Sequence, residues 1–156
     1  MKKRMMFAVA GAALACALCC AAHANAQDKG YWRAASTETA KMTGDISIAD
    51  LKVTINFTTF PLAPIRRLKP VEVSAVFDAD VNAGISGDLY RLRVPANQHI
   101  ARRNTLCDGE DTQWMATYVT GRTMRVAFFS GDDMPVFTFD AMQNSTTLCG
   151  TYTYTR

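Results

Sequence analysis

The chain has 156 residues, 49% of them hydrophobic, and a net charge of +3. This length fits one domain that is large enough to bury a core. Lys2, Lys3 and Arg4 account for all of the excess charge, so the remainder is neutral, and neutrality removes the electrostatic case for nucleic acid or an anionic membrane as partner.

The first 26 residues have the pattern of a secretory signal. A basic start precedes an apolar run at residues 5–22, and both Ala24 and Ala26 end small-x-small motifs suited to cleavage. We favour cleavage after Ala26, with Ala24 as the alternative. The sequence therefore predicts a signal peptide at residues 1–26, a single domain at residues 27–156 and a periplasmic or secreted location. No apolar run in residues 27–156 is long enough to span a membrane.

Strand-like alternation begins soon after this signal. Residues 34–40 are small and polar and leave helix or strand open, and a turn follows at residues 43–45. Residues 51–58 show the clearest alternation in the chain, which predicts a strand with one buried and one exposed face. The predicted buried face consists of Leu51, Val53, Ile55 and Phe57.

Three prolines interrupt the pattern in residues 60–70. Pro61, Pro64 and Pro70 each lack a backbone donor, and together they predict a long loop. Long loops that expose apolar and basic groups often bind other molecules, so this loop is the first candidate for contact with a ligand or partner. Its candidate contact residues are Leu62, Ile65, Arg66, Arg67 and Lys69.

The rest of the chain continues as strands joined by polar turns. Further strands are predicted at residues 71–77, 89–94, 99–107, 113–120, 123–130, 136–140 and 148–155. Short connections favour an all-β fold, an antiparallel and mostly up-and-down β-barrel of about eight strands, with a β-sandwich as the alternative. The barrel is preferred because the last strand can pair with an early one and so remove both sheet edges.

Two of the five cysteines, Cys107 and Cys149, lie outside the predicted signal. Each ends a Thr-Leu-Cys tripeptide, and an exported chain meets an oxidising environment, so we predict a disulfide between them. The chain-entropy model assigns such a cross-link roughly 4 kcal/mol of stabilisation. The other three cysteines lie in the apolar run and raise lipidation as an alternative, which the leucine near them disfavours.

Catalytic and metal-binding patterns are missing from residues 27–156. His99 is the single histidine there, and no serine has the Gly-x-Ser-x-Gly setting of a nucleophile. With both cysteines committed to one bond, one histidine cannot complete a zinc site. The carboxylates of residues 78–84 miss the EF-hand spacing, because position twelve is Leu89 rather than glutamate. We therefore expect no enzymatic activity, no metal and no cofactor.

Aromatic residues allow two interpretations of the barrel interior. Trp32, Trp114 and Tyr118 could line a cavity for one small apolar ligand, as in barrels that carry such ligands. About eight strands, however, leave room for little more than the barrel's own side chains, and this favours a filled interior.

Short motifs in the chain resemble two groups of known proteins. Gly30-Tyr31-Trp32 is similar to the Gly-x-Trp that opens lipocalins and other calycin barrels, which include secreted bacterial metalloprotease inhibitors. The other resemblance is to a group of short exported bacterial β-rich proteins of unknown function. It rests on Asn104-Thr105-Leu106-Cys107, Trp114-Met115-Ala116, Ala127-Phe128-Phe129-Ser130-Gly131 and Leu148-Cys149-Gly150-Thr151-Tyr152.

These patterns together indicate an exported, non-enzymatic binding protein, expected to be a monomer, with an unknown protein partner or small apolar ligand. The sharper hypothesis is an inhibitor of an extracytoplasmic hydrolase that inserts a loop or its N-terminal segment into the enzyme's cleft. The alternatives are a carrier of a small apolar ligand inside the barrel and a structural module of the cell envelope. Neither nucleic acid nor a membrane span is expected.

Overall fold

The computed structural model describes residues 27–83, 85–97 and 106–156. Eight antiparallel strands form a closed barrel in which each strand pairs with the next along the chain and the last pairs with the first. The predicted up-and-down β-barrel is confirmed. The strands are β1 (Gly30–Ala34), β2 (Ile46–Ala49), β3 (Lys52–Ile55), β4 (Thr58–Leu68), β5 (Gly87–Val94), β6 (Thr112–Thr120), β7 (Thr123–Ser130) and β8 (Leu148–Thr155).

Three regions of the sequence analysis fall outside the described residues. They are the predicted signal at residues 1–26, His99, and most of the strand predicted at residues 99–107.

The barrel interior is filled by its own side chains. Successive residues of a strand face opposite sides, and the inward residues of every strand belong to one buried group. A side chain with almost no accessible surface adjoins no space that admits a water molecule, so these residues pack directly against one another. Those exposed by at most 2% include Trp32, Ile46, Ile48, Val53, Ile55, Leu62, Met115, Met124, Val126, Phe128 and Tyr154.

Two short helices cover the outside of β5 to β8. They are α2 (Pro70–Phe77) and α3 (Phe139–Gln143), and they pack with the outward residues of these strands in a second buried group. Because β6 has one core on each side, Met115 faces the interior while Trp114 and Ala116 face the helices. We call this side of the barrel the covered wall.

Another helix, α1 (Thr37–Met42), lies between β1 and β2 and settles the stretch that the sequence left open. The hydroxyl of Ser36 accepts a hydrogen bond from the Thr39 backbone nitrogen at 3.1 Å, which caps the helix start. At its end, the buried Thr43 hydroxyl lies 2.6 Å from the hydroxyl of Tyr154 and so ties the helix to β8.

The prediction of a loop at residues 60–70 is wrong, because these residues form most of β4. Pro61 lies opposite Lys52 of β3, and Pro64 lies opposite Tyr90 of β5. The register shifts between Pro64 and Arg66, which is how a bulge accommodates residues that cannot donate to the ladder. A proline removes one donor from a strand without ending it.

The strand predicted at residues 71–77 is also wrong, because Pro70–Phe77 is helix α2. Pro70 stands at the first turn, where its missing N–H is no loss, and the Glu72 carboxylate accepts from the Lys69 backbone nitrogen at 2.8 Å. Val73 and Phe77 are four residues apart on one helical face and are fully buried.

Residues 136–140, predicted as a strand of the meander, instead lead into helix α3. Phe137 is buried in the second group, and the Thr138 hydroxyl accepts from the Ala141 backbone nitrogen at 3.2 Å as the helix cap. The apolar run of residues 136–140 is too short to distinguish the alternation of a strand from the first turn of a helix, and the strand prediction there is wrong for this reason.

Half of the buried face predicted at residues 51–57 is in solvent. Val53 and Ile55 are fully buried as expected, whereas Leu51 is 71% exposed and Phe57 is 96% exposed. The strand β3 ends at Ile55, so Leu51 precedes it in one turn and Phe57 follows it in the next. Alternation continues through both turns in the sequence and conceals where the strand ends.

The structure places the sulfur atoms of Cys107 and Cys149 within bonding distance, with Cα atoms 4.8 Å apart. Cys149 lies in β8, and Cys107 lies in a tight turn where it forms a bridge with Glu110. The link spans 42 residues and connects the last strand to the segment that precedes β6.

Candidate partner-binding surface

Two of the residues predicted to contact a ligand or partner belong to the barrel interior. Leu62 is 2% exposed, and Trp32 has no exposed surface. The Trp32 indole nitrogen donates to the Asp28 carbonyl oxygen at 2.8 Å, and the Arg156 guanidinium lies 4.2 Å from the centre of its ring. These contacts hold Trp32 as part of the barrel end.

Trp114 and Tyr118 lie on the covered wall instead of the interior in which a ligand was envisaged. The Trp114 indole nitrogen donates to the Gly131 carbonyl oxygen at 3.1 Å, and the Arg91 guanidinium stacks 4.4 Å from the ring centre. The ring of Tyr118 packs 5.9 Å from that of Phe77 in α2. Both aromatics attach the helices to the barrel.

The other predicted contact residues gather at the end of β4. Ile65, Arg66 and Arg67 line a cleft of about 240 Å³, together with Asp88 and Tyr90 of β5. Lys69 follows β4 and is the N-cap residue of α2.

Within this cleft the charges are already engaged. Arg66 donates two hydrogen bonds of 2.8 Å to the Glu72 carboxylate, and this pairing holds the pKa of Glu72 below its usual value. Arg67 donates to the Ser86 hydroxyl and lies opposite Asp88 in the sheet. Burial raises the pKa of the Asp88 carboxyl.

Beneath Tyr90 lies the buried carboxylate of Asp28. Its Oδ2 accepts from the Tyr90 hydroxyl at 2.6 Å and from the Thr117 hydroxyl at 3.0 Å. Burial, followed by the hydrogen bond to Asp28, raises the pKa of Tyr90. The carboxylate thereby fastens the segment before β1 to β5 and β6.

A different surface has the features of a contact site, and it begins at the turn between β3 and β4. Asn56 and Phe57 form this two-residue turn with φ angles of 43° and 70°. Both residues are therefore left-handed, a geometry that suits Asn-Gly and that a bulky aromatic residue seldom adopts. Phe57 projects into solvent with 96% of its surface exposed.

Neighbouring backbone holds the turn in place. The Asn56 backbone nitrogen donates to the Asp45 carbonyl oxygen at 3.1 Å. Gly44 packs so closely against Asn56 that an added Cβ atom would lie 2.8 Å from the Asn56 side-chain oxygen. Position 44 also has a φ of 64°, so glycine suits it in two respects.

A groove of about 260 Å³ runs beside Phe57, and Tyr31 lines it. Tyr31 points outward from β1 and is 56% exposed. Its hydroxyl donates to the Asp45 carboxylate, which also accepts from the Ala34 backbone nitrogen at 2.9 Å. These two bonds, the Tyr31 bond first, lower the pKa of Asp45. We call Phe57, Tyr31 and the groove between them the tip surface.

Sequence reasoning missed the tip surface because Phe57 continues an apolar alternation. The signal that could have located it is Asn56, since asparagine is favoured at the left-handed positions of two-residue hairpin turns.

Over the described ranges, no group of three or more His, Cys, Asp or Glu side chains is placed to hold a metal ion. Among the helices of the described residues, none has the length and hydrophobicity needed to cross a membrane.

The chain matches no family model, no curated protein and no solved structure. These comparisons therefore indicate no function for the chain.

Proposed function

We propose that this is an exported, non-enzymatic binding protein that inhibits an extracytoplasmic hydrolase by inserting Phe57 into the enzyme's cleft. The observation that carries this proposal is an aromatic residue that is 96% exposed at a left-handed position. A non-glycine residue in this conformation costs about 1–2 kcal/mol. Because Phe57 buries almost no surface within the fold, packing does not offset this conformational cost. Insertion of the ring into an apolar pocket of a partner would offset it.

The tip surface is suited to binding because it is held in one conformation before any partner arrives. The bond from Asn56 to Asp45 and the close packing of Gly44 fix the turn, and the bond from Tyr31 to Asp45 fixes the neighbouring ring. A preordered loop loses little entropy on association, and aromatic residues supply much of the affinity of protein interfaces.

The filled interior favours surface binding over the carriage of a small apolar ligand. Pockets for such ligands typically have volumes of about 300–1,000 Å³ and enclose most of the ligand. The inward side chains of this barrel pack against one another instead, and the clefts named above open on the outside. The similarity of Gly30-Tyr31-Trp32 to calycin barrels, which include secreted protease inhibitors, supports the same proposal.

Inhibition assays with purified residues 27–156 test the proposal. The probes are three purified extracytoplasmic hydrolases: a muramidase, a serine protease and a metalloprotease. We expect inhibition of at least one, and we expect Phe57→Ala to weaken it at least about tenfold, which corresponds to about 1.4 kcal/mol.

Leu51→Ala is the matched control, because Leu51 is also an exposed apolar residue in a hairpin turn but lies at the other end of β3. It should leave inhibition unchanged. Equal inhibition by the wild type and Phe57→Ala would overturn the role of the tip, and no inhibition of any probe would overturn the inhibitor proposal.

A further inference from the structure

A second cleft, of about 580 Å³, adjoins the tip surface. Five residues line it: Tyr31, Arg33, Arg122, Thr155 and Arg156. Three of the five are arginines and none is acidic. We call Arg33, Arg122 and Arg156 the arginine cluster.

Backbone contacts bring the cluster together from three separate parts of the chain. Arg33 of β1 lies opposite Thr155 of β8 in the sheet register. Arg122 stands in the turn between β6 and β7, where its Nε donates to the Arg156 backbone oxygen at 2.5 Å. The Arg156 backbone nitrogen donates back to the Arg122 carbonyl oxygen at 3.0 Å. The Arg156 guanidinium itself lies over the Trp32 ring and donates to the Lys29 carbonyl oxygen at 3.2 Å.

No carboxylate of the described residues forms a salt bridge with the cluster. The four salt bridges seen there join other residues: Lys29–Asp50, Arg66–Glu72, Arg91–Asp132 and Arg93–Asp111. The Tyr31 hydroxyl, the Ala34 nitrogen and, after them, Arg33 lower the pKa of Asp45, so the charge of Asp45 offsets part of that of Arg33. One such carboxylate near three guanidinium groups leaves a local excess of positive charge.

Tyr31 connects the cluster to the tip surface, because this one side chain lines both clefts. The apolar tip and the arginine cluster thus lie side by side. A partner that covers Phe57 and Tyr31 must meet the arginines as well.

We infer that the arginine cluster binds carboxylate groups of the same protein whose apolar pocket receives Phe57, an inference that rests on the proposed function. Guanidinium groups pair with carboxylates in a bidentate fork, which gives orientation as well as attraction. The target is therefore a hydrolase whose cleft is bordered by Asp and Glu side chains. Glycoside hydrolases that act through two carboxylates have this chemistry, whereas serine hydrolases do not require it.

A direct test uses labelled poly-L-glutamate as the probe, because it presents carboxylates without an apolar group. Residues 27–156 should bind it at about 20 mM NaCl and bind much more weakly at about 200 mM NaCl, where solvent ions screen exposed charges. Arg33→Glu combined with Arg122→Glu should weaken binding at least about tenfold, and the matching pair of lysine substitutions should weaken it less.

Two control variants separate this inference from the proposed function. Arg93→Glu reverses an exposed charge that is paired with Asp111, the residue before β6, so it should leave poly-L-glutamate binding unchanged. Phe57→Ala should also leave it unchanged, although it is expected to abolish most inhibition. If the double variant fails to fold, as judged by its circular dichroism, Arg33→Gln replaces it, because Arg33 is exposed and lies on a strand surface.

The same variants can then be compared on the hydrolase that the wild type inhibits. Arg33→Glu should mainly slow association, as expected for charges at the edge of an interface, whereas Phe57→Ala should mainly accelerate dissociation. An effect of Phe57→Ala without any effect of Arg33→Glu or of salt would overturn the arginine inference and leave the proposed function intact.

Three results would contradict the inference directly. One is equal poly-L-glutamate binding by the wild type and the double variant. Another is an equal loss in Arg93→Glu, which would indicate a general charge effect. The third is binding to phosphatidylglycerol vesicles but not to poly-L-glutamate, which would assign the cluster to an anionic membrane surface instead of a protein.

Discussion

Strands β6 and β7 are buried on both faces, whereas β1, β2 and β3 bury only the face that points into the barrel. Residues 114–118 of β6 and residues 126–130 of β7 are all buried, because α2 and α3 cover their outer side. In β1 to β3, inward residues such as Val53 alternate with exposed or half-buried residues such as Lys52 and Thr54. One barrel thus has a covered wall and a bare wall.

Because of this difference, substitutions on the covered wall should mainly affect folding stability, and substitutions on the bare wall should mainly affect binding. A residue on the covered wall loses contacts with strands or helices when it is shortened, so its main effect should be on folding. A residue on the bare wall has solvent on one side, so it can be changed with little effect on folding and remains available to a partner. Phe57, Tyr31 and Arg33 belong to the bare wall, whereas Arg122 lies in the turn between β6 and β7 and Arg156 follows β8, where both share a cleft with Tyr31.

The largest expected effect compares two phenylalanines from the two walls. Phe129→Ala removes a fully buried ring that packs 5.8 Å from Phe137, and it should lower the free energy of unfolding by about 3–5 kcal/mol. Phe57→Ala should change it by no more than about 0.5 kcal/mol. Urea denaturation of both variants measures the difference, and a similar loss for the two would show that the walls are not distinct.

The next effect concerns the cross-link between β8 and the segment before β6. Replacing Cys107 and Cys149 together with alanine should lower the free energy of unfolding by about 2–4 kcal/mol, because a closed loop of 42 residues would be opened. Wild-type protein treated with a thiol reductant should match the variant. Two free thiols per denatured chain in unreduced, exported protein would contradict the bond.

Phe57→Gly should raise stability, in contrast to almost any change on the covered wall. Glycine adopts a φ of 70° without strain, so the free energy of unfolding should increase by up to about 1 kcal/mol. The same variant should lose inhibition of the target. Thermal unfolding measures the expected gain in stability, and the inhibition assay measures the expected loss of inhibition. A destabilised Phe57→Gly protein would mean that the ring supports the fold.

The smallest effect is a pH dependence at the edge of the covered wall. The pKa of Glu72 is held below its usual value of 4.5 by Arg66, so the stabilisation from this pair is present at neutral pH and lost as the pH falls through the lowered pKa. Because Arg66 is one-third exposed, the pair should contribute only about 0.5–1 kcal/mol.

Glu72→Gln should therefore be less stable than the wild type at pH 7, and the gap should narrow towards pH 3. Urea denaturation at several pH values measures this gap. A gap that stays constant over that range would show that the charge of Glu72 does not contribute.

Much of this fold could be predicted from residue patterns, and the exceptions have identifiable causes. Val53 and Ile55 are expected to be buried, and they are, because alternation over four or more residues reports a strand with one buried face. Residues 71–77 show a similar alternation but form a helix. Pro70 and Glu72 could have indicated that helix start, yet a run this short fits either period.

The candidate site was predictable only in its residue types. Exposed apolar and basic groups were expected to meet a partner, but they were assigned to residues 60–70, which form a strand in which Arg66 and Arg67 already have partners. The arginine cluster brings together residues 33, 122 and 156. Their separation along the chain exceeds any local pattern, so only barrel closure could place them side by side.

By itself, the amino-acid sequence determined the all-β fold class, favoured a filled interior and singled out Cys107 and Cys149 as the candidate pair, since each depends on alternation, strand number or cysteine count. Only the tertiary structure decided which strands were covered on their second face and which apolar residues stayed in solvent. Both outcomes depend on contacts between distant segments: α2 and α3 reach β6 and β7, while nothing in the described residues covers Phe57. The alternation of a strand reports that one face is buried, and it carries no information about what lies against the other.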